Sequence, residues 1–439
     1  MGGVGPVEAL ETKRYGRSET KTVAQPAAAA TGVQQRIEAA ADQPLSAMRG
    51  TGPASSGLSC VRLLQGPPSG YGEAGRLIRD SEDAPRVGCF PARRLLMRIA
   101  VDVMGGDHGC GVVVDGARQA LRANPSISRI YLVGQQSEIK SALAHSGAHD
   151  ARIEVVHASE VLTMDDKPLV ALRRKKDASI LRAVELVKSG SAEGLISPGN
   201  TGGVVTATTI RLRPLPGVER PAIIAVIPAP ENDFVLVDAG ANVECRPEHL
   251  AQFAIMGSVY SREVLGYARP RVGLLSVGTE DVKGNDLTQE TFKVCRQLPV
   301  NFIGNIEGHD LFDNGVDVVV CDGFVGNIVL KTCESLATSL FKWLRKELSK
   351  TPKRQLGALL AKGAFRTMKQ RVDPETHGGA PLLGLNGNVV IAHGSSRERA
   401  IMNGIGQAVR AVEHKVNQVI TREIAAAATL LHSNAVPAP

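Results

Sequence analysis

Residues 197–203 read SPGNTGG, and these residue types suit the holding of an anion. Gly199, Gly202 and Gly203 let backbone amides approach a ligand, Asn200 and Thr201 add side-chain donors, and a helix starting there would aim its positive dipole end at the same point. Glycine and asparagine are also ordinary turn formers, so a strand-to-helix turn capped by Thr201 fits the same letters. Five further loops bear on the choice: MGGDHG at 104–109 with Asp107 and His108, DAGANV at 238–243 with Asp238 and Asn242, GTEDVKGN at 278–285 with Lys283 and Asn285, DGFVGN at 322–327 with Asp322 and Asn327, and HGSS at 393–396 with His393 and Ser395. Taken singly, each Asp or Asn is ordinary as a helix cap. Together, the amides, hydroxyls and Lys283 suit an anionic group the size of phosphate.

Other chemistries find less support. No loop follows GxxxxGK[ST], and no GxGxxG follows a strand; GIG at 404–406 lies in a helical pattern, where small residues permit close packing. Kinases and nicotinamide dehydrogenases are therefore disfavoured. Cys321 and Cys110 are placed where a nucleophile could stand, yet each also fits a buried small hydrophobe. Ser395 and Ser396 lie outside any GxSxG elbow. His108 and His393 each follow a strand among glycines, which suits acid–base work or a structural hydrogen bond. The run RRKKD at 173–177, in an expected loop, is either a solvated face or a contact for a ligand or acidic partner.

The elements that must hold these loops show a regular rhythm. From residue 97, short apolar or β-branched runs at 99–103, 130–133, 153–156, 194–196, 222–227, 234–237, 272–277, 302–303, 316–321 and 389–392 alternate with helical patterns near 112–123, 137–145, 180–188, 247–265 and 398–420. That is the pattern of an α/β fold with a mostly parallel sheet. Ligands of open α/β sheets bind beyond the carboxyl ends of the strands, so all six loops are expected to converge on one cleft.

Of the 439 residues, 1–96 are rich in Gly, Ala, Pro and Ser and are expected to be a disordered extension, with Met97 a candidate biological start. Residues 97–425 form the expected domain and 426–439 a flexible tail. The net charge of +7 is spread out and only 3% of residues are aromatic, which speaks against nucleic-acid binding. Seven cysteines without CxxC spacing fit reduced thiols in the cytoplasm, with no structural metal. No apolar run approaches the ~20 residues that span a bilayer.

Between 336 and 372 two helical patterns meet at Thr351 and Pro352. Leu336, Leu340, Leu344 and Leu348 form a row beside Phe341 and Trp343, which suits a helical hairpin packed at a dimer interface. In the second, Leu356, Leu359, Leu360 and Met368 face away from Lys362, Arg366 and Lys369, which also suits an anionic bilayer, where each cation contributes ~1 kcal/mol.

Eight segments in order, IAVDVMGGDHG, HASEVLTMDDKP, ALRRKKDAS, SPGNTGG, DAGANVECRPEHLAQFAIMGSVY, RVGLLSVGTEDVKGND, NFIGNIEGHD and CDGFVGNIVLKT, closely resemble the bacterial phosphate acyltransferases of phospholipid synthesis, the PlsX family. Pro198 before GNTG and the form VGTED are small departures. The resemblance implies transfer of a long acyl chain from acyl carrier protein to inorganic phosphate by direct attack of bound phosphate, without a cofactor. It implies a three-layer α/β/α fold similar to isocitrate and isopropylmalate dehydrogenases and to phosphotransacetylases, with a projecting helical hairpin, usually as a homodimer. It also implies peripheral contact with an anionic membrane, where a glycerol-3-phosphate acyltransferase would receive the product. On this reading Gly199, Asn200, Thr201, Gly202, Asp238, Asn242, Asn327, His393 and Ser395 bind phosphate or substrate, and Asp107, His108, Lys283, Asn285 and Asp322 are the catalytic candidates. Two rivals are a short-chain phosphotransacylase acting on coenzyme A thioesters and a catalytically idle scaffold.

Overall fold

MRIAVD at 97–102 is apolar towards both sides of an extended chain, and such a run is stable inside a sheet covered on both faces. In the computed structural model, which describes residues 96–147, 150–313 and 315–433, it forms β1 (Met97–Asp102), part of an eleven-stranded sheet. Across the sheet the order is β3 (Ile153–His157), β2 (Ile127–Gly134), β1, β4 (Gly194–Ser197), β11 (Asn388–Ile391), β10 (Ala380–Leu383), β5 (Ala222–Ile227), β6 (Phe234–Val237), β9 (Val318–Val320), β7 (Arg271–Leu275) and β8 (Asn301–Ile306). The extension at 1–95 lies outside the described residues.

Side chains alternate between two cores. Ala100, Leu195, Val389, Ile223, Leu236 and Val319 point to one face, covered by α4 (Ser179–Lys188) and α5 (Thr201–Leu212). On the opposite face, Ile99, Val101 and Val390 meet α1 (Cys110–Ala123), and Val235, Val237 and Val318 meet α6 (Pro247–Glu263). The result is the expected three-layer α/β/α arrangement. In α11 (Glu398–Glu413), a Cβ on Gly404 would lie 2.4 Å from Ile196 Cδ1 and 2.6 Å from the Gly378 carbonyl, so the glycine serves close packing. The last helix expected over 398–420 is broken at Lys415 (φ 52°), and α12 (Val416–Ser433) follows. The expected tail is thus helical as far as Ser433, because Ala427 and Leu431 are buried in the core beside Val259; 434–439 lie outside the described residues.

Strand direction overturns the single-cleft expectation. β1, β2, β3, β4 and β11 run in parallel. Three antiparallel pairings follow in succession, β11 with β10, β10 with β5, and β5 with β6. Beyond them β6, β9, β7 and β8 are again parallel to one another. An odd number of reversals leaves the second group pointing opposite to the first. The loops after β1, β4 and β11 therefore leave one edge of the sheet, and those after β6, β7 and β9 leave the other.

From the second edge rises α8 (Gly323–Leu348), whose only buried residues are Gly323 and Gly326. Thr351 caps α9 (Pro352–Leu360) by accepting from the Arg354 amide, and α10 (Lys362–Arg371) returns to the body, where Arg371 donates to the Ala229 carbonyl at 2.6 Å. This is the projecting hairpin. Its second limb divides at Ala361, and Leu336, Trp343, Leu359 and Leu360 are all exposed.

Candidate active site

At the first edge three loops hold one another. Gly105 has φ 84°, and a Cβ there would stand 3.1 Å from Gly199 Cα. The Asp107 amide donates to the Gly394 carbonyl at 2.8 Å, which ties the loop after β1 to the loop after β11. Asn200 is the N-cap of α5: its Oδ1 accepts from the Gly203 amide at 2.9 Å, while its Nδ2 donates to the Met164 carbonyl at 2.8 Å. Its side chain is thereby spent on shaping the loop. The Gly199 amide is likewise spent, donating to Ser197 Oγ at 3.2 Å. In the first turn of α5 the amides of Thr201 and Gly202 keep no partner among the described residues, and both residues are exposed. Two free amides, a hydroxyl and a helix dipole make a seat for an anion.

Exposed Asp107 and His108 border this seat, with His393 and Ser395 beside them. His393 Nδ1 accepts from the Ser395 amide at 3.2 Å and lies 2.7 Å from Ser395 Oγ. With Nδ1 accepting, the neutral ring carries its proton on Nε2 and can present it outwards. Asp107, His108, Gly199, Asn200, Thr201, Gly202, His393 and Ser395 thus lie on three adjoining loops at this edge.

Asp238, Asn242, Lys283, Asn285, Asp322 and Asn327 gather at the other edge, and most serve the loops themselves. The fully buried Asp238 carboxylate accepts from the amides of Ile223, Gly240, Ala241 and Asn242 and from Asn242 Nδ2, at 2.7–3.1 Å. Burial pushes this carboxyl up, and the hydrogen bonds from Ala241 and Asn242 oppose it. Asn242, itself buried, also donates to the Pro221 carbonyl at 2.7 Å. Neither side chain is open to a ligand. Asp322 caps α8 through the amides of Phe324 and Val325, and Asn285 caps α7 (Asp286–Cys295) through the Thr288 amide. Asn327 is exposed beside Gly240, and Lys283 is exposed with no ion-pair partner among the described residues.

The cysteine candidates are removed by burial. Cys110 is pushed up to about 11, chiefly by desolvation and also by Glu138, and Cys321 is raised well above the ordinary thiol value, so neither is a thiolate near neutrality. The basic run is not a plain loop: Arg173 and Arg174 end the helix α3 (Pro168–Arg174), and Lys175 Nζ donates to the Val161 carbonyl at 2.8 Å and to Asp166 at 2.5 Å. That bond and the Thr163 amide hold the Asp166 carboxyl down at about 2. Arg173, Arg174 and Lys176 remain exposed.

The family model described as "Fatty acid synthesis protein" matches residues 97–419. A phosphate acyltransferase of Akkermansia muciniphila is 44% identical over 340 residues, which cover 76% of this chain and 97% of that protein. One from Desulfitobacterium hafniense is 46% identical over 329 residues, 75% of this chain and 98% of that one. The chain belongs to this phosphate acyltransferase family. Like its family it is an acyltransferase of lipid synthesis. Among solved structures, a phosphotransacetylase from Streptococcus pyogenes is similar at 18% identity and a TM-score of 0.49, covering 73% of this chain and 96% of that one.

In this phosphate acyltransferase family member Asp102, with the Ser197 hydroxyl that bonds to it, was given no role in the sequence reading, although both lie in its motifs. Asp102 ends β1, 2% exposed, and accepts from Ser197 Oγ at 2.8 Å and from the Met104 amide at 3.1 Å. The signal was an acidic residue closing an otherwise apolar strand directly before MGGDHG.

Proposed function

We propose that the chain transfers a long-chain fatty acyl group from acyl carrier protein to inorganic phosphate, forming acyl phosphate for phospholipid synthesis. The carrying observation is the pair of unpartnered amides on Thr201 and Gly202, set in a chain of the phosphate acyltransferase family. Phosphate at neutral pH is already a competent anion, so the protein's main work is to position it and to stabilise the developing oxyanion. A phosphate oxygen bonds to the thioester carbonyl carbon, the C–S bond then breaks, and the departing thiolate takes up a proton. Thr201 and Gly202 hold the phosphate; Asp107, His108 and His393 orient the reactants and handle the proton. Lys283 and Asn285 stand at the opposite edge, so their part in the transfer runs through a second copy in a homodimer. The exposed Leu336, Leu340 and Trp343 of α8 suit that contact.

Leu356, Leu359 and Leu360 of α9 are exposed, with Lys362 and Lys369 following in α10, which supports peripheral contact of a cytoplasmic enzyme with an anionic membrane. There the product would pass to a membrane glycerol-3-phosphate acyltransferase. No helix among the described residues is long and apolar enough to cross a membrane.

The test is purified protein with acyl carrier thioester, assayed for free thiol with and without phosphate, hydroxylamine trapping the acyl phosphate. Thiol release that requires phosphate is expected. Release independent of phosphate, or none, overturns the reading, and preference for short coenzyme A thioesters transfers it to the phosphotransacylase rival. For the membrane arm, Leu359→Glu with Leu360→Glu is expected to abolish liposome flotation; unchanged flotation rejects that contact.

A further inference from the structure

A buried carboxylate, that of Asp102, lies directly beneath the anion seat. Asp102 Oδ2 accepts from Ser197 Oγ at 2.8 Å, and Ser197 Oγ in turn accepts from the Gly199 amide at 3.2 Å. Its Oδ1 accepts from the Met104 amide at 3.1 Å, where the chain enters the loop bearing Asp107 and His108. A Cβ on Gly199 would lie 3.8 Å from the same Oδ2, so the loop rests on this carboxylate. The hydroxyl of Ser179, at the start of α4, completes the ring of donors. Strand β1, strand β4 and helix α4 thus meet the two loops of the seat through one side chain.

We infer that Asp102 is a positioning residue for phosphate: through Ser197 it fixes the peptide between Pro198 and Gly199, and so aims the free amides of Thr201 and Gly202. The inference rests on the reading of 197–203 as the phosphate seat. Its chemical logic is that an ionised carboxylate only accepts, and here every neighbour donates. On protonation one oxygen becomes a donor, Ser197 Oγ must accept from it, and the serine proton loses its acceptor, which slackens the grip on Gly199. The groups facing Asp102 are the Ser197 hydroxyl from β4, the Ser179 hydroxyl from α4 and the Met104 amide, all neutral; no cation pairs with it among the described residues.

Burial pushes the Asp102 carboxyl up to about 6, against the pull of the Ser197, Ser179 and Met104 hydrogen bonds. A raised carboxyl contributes stability that is complete below the ordinary Asp value and is lost as pH rises through about 6, so at neutral pH the fold carries a charge that weakens it. A group kept only for structure would not be expected at that cost. Opposite signs for stability and for phosphate use are therefore the signature of a positioning role.

The experiment uses the full chain, inorganic phosphate and a long-chain acyl carrier thioester. At pH 8, Asp102→Asn and Ser197→Ala are each expected to raise KM for phosphate by about 10-fold through loss of a charge-assisted hydrogen bond, with kcat at saturating phosphate changed by less than about 3-fold. Wild type is expected to gain kcat/KM for phosphate as pH rises through about 6, and Asp102→Asn to lack that inflection while keeping the one that belongs to phosphate itself. Asp102→Asn should also melt higher than wild type at pH 8. Unchanged KM and pH profile in a folded Asp102→Asn overturn the inference, as does a lower melting temperature with KM unmoved. If Asp102→Asn yields no soluble protein, Ser197→Ala decides by KM alone. Thr201→Ala and Gly202→Pro serve as reference: if they too leave KM for phosphate unmoved, the phosphate seat has been misplaced and the error lies in that reading.

Discussion

The two edges of the sheet carry the same residue types after their strands, glycines with Asp and Asn, and use them in opposite ways. At the second edge the polar groups face one another: five donors close on Asp238, and Asp322 closes on the amides of its own helix. At the first edge the side chain of Asn200 is spent on the loop, and the expenditure leaves two amides facing outwards. A strand-end Asp or Asn thus says that a loop is organised. Which of the remaining groups stay unsatisfied decides whether it is a site.

The largest effect that sharpens this contrast is at Asp238. Removing the carboxylate by Asp238→Ala leaves its buried donors unpaired, and a loss of about 4 kcal/mol in urea unfolding is expected. Next come the glycines. A Cβ on Gly326 would lie 1.8 Å from the Asp238 carbonyl, whereas one on Gly203 would lie 2.1 Å from Leu162 Cδ2, the end of a side chain. Backbone cannot yield and a leucine can turn, so Gly326→Ala should cost about 3 kcal/mol and Gly203→Ala about 1 kcal/mol. The caps are a closer match: Asn200→Ala and Asp322→Ala should each cost about 1 kcal/mol, yet only Asn200→Ala should raise KM for phosphate, by about 10-fold. Equal KM effects would break the comparison. If the edges meet across a dimer, co-refolding a variant with both Asp107→Ala and His108→Ala with Lys283→Ala, each expected to be inactive alone, should restore about a quarter of wild-type turnover, one intact site in half of the dimers.

The smallest expected effect is on pH response, where the edges should move in opposite directions. Burial holds His249, at the start of α6 beside Glu219 and Arg246, below the ordinary histidine value. A lowered histidine leaves the folded state short of protons, so stability there is lost as pH falls below the ordinary value. Asp102, raised to about 6, makes the first edge firmer over the same descent. Hydrogen exchange at pH 7 and pH 5 should therefore show faster opening near 246–250 and slower opening along β1 on acidification.

The β-branched runs made ten of the strands and most helices legible, because burial on both faces leaves a continuous apolar signature. β10 was not legible: APLL lacks β-branched residues and contains proline, and it is held by the flanking strands. Its two antiparallel pairings cancel, so the reversal that separates Lys283, Asn285, Asp238, Asn242, Asp322 and Asn327 from the anion seat comes from the antiparallel pairing of β5 with β6, which a reading of strand runs one by one does not reveal. The loops of the first edge were legible because glycine and Asn200 are needed for their tight approach. Asp102 was not, since its role is set by neighbours 77 and 95 positions away, Ser179 and Ser197.

One pairing also sets a timetable. β4 forms hydrogen bonds with β11, register Leu195 with Val389, so the first half of the sheet ends in an open edge until residue 391 has been made. At the usual pace of synthesis that edge waits roughly 10–40 s on the ribosome. A nascent chain arrested shortly before 388 is expected to bind chaperones and to aggregate on release, and one arrested well past 433 to be protease-resistant. The enzyme's most exposed moment thus comes before it has a C-terminus.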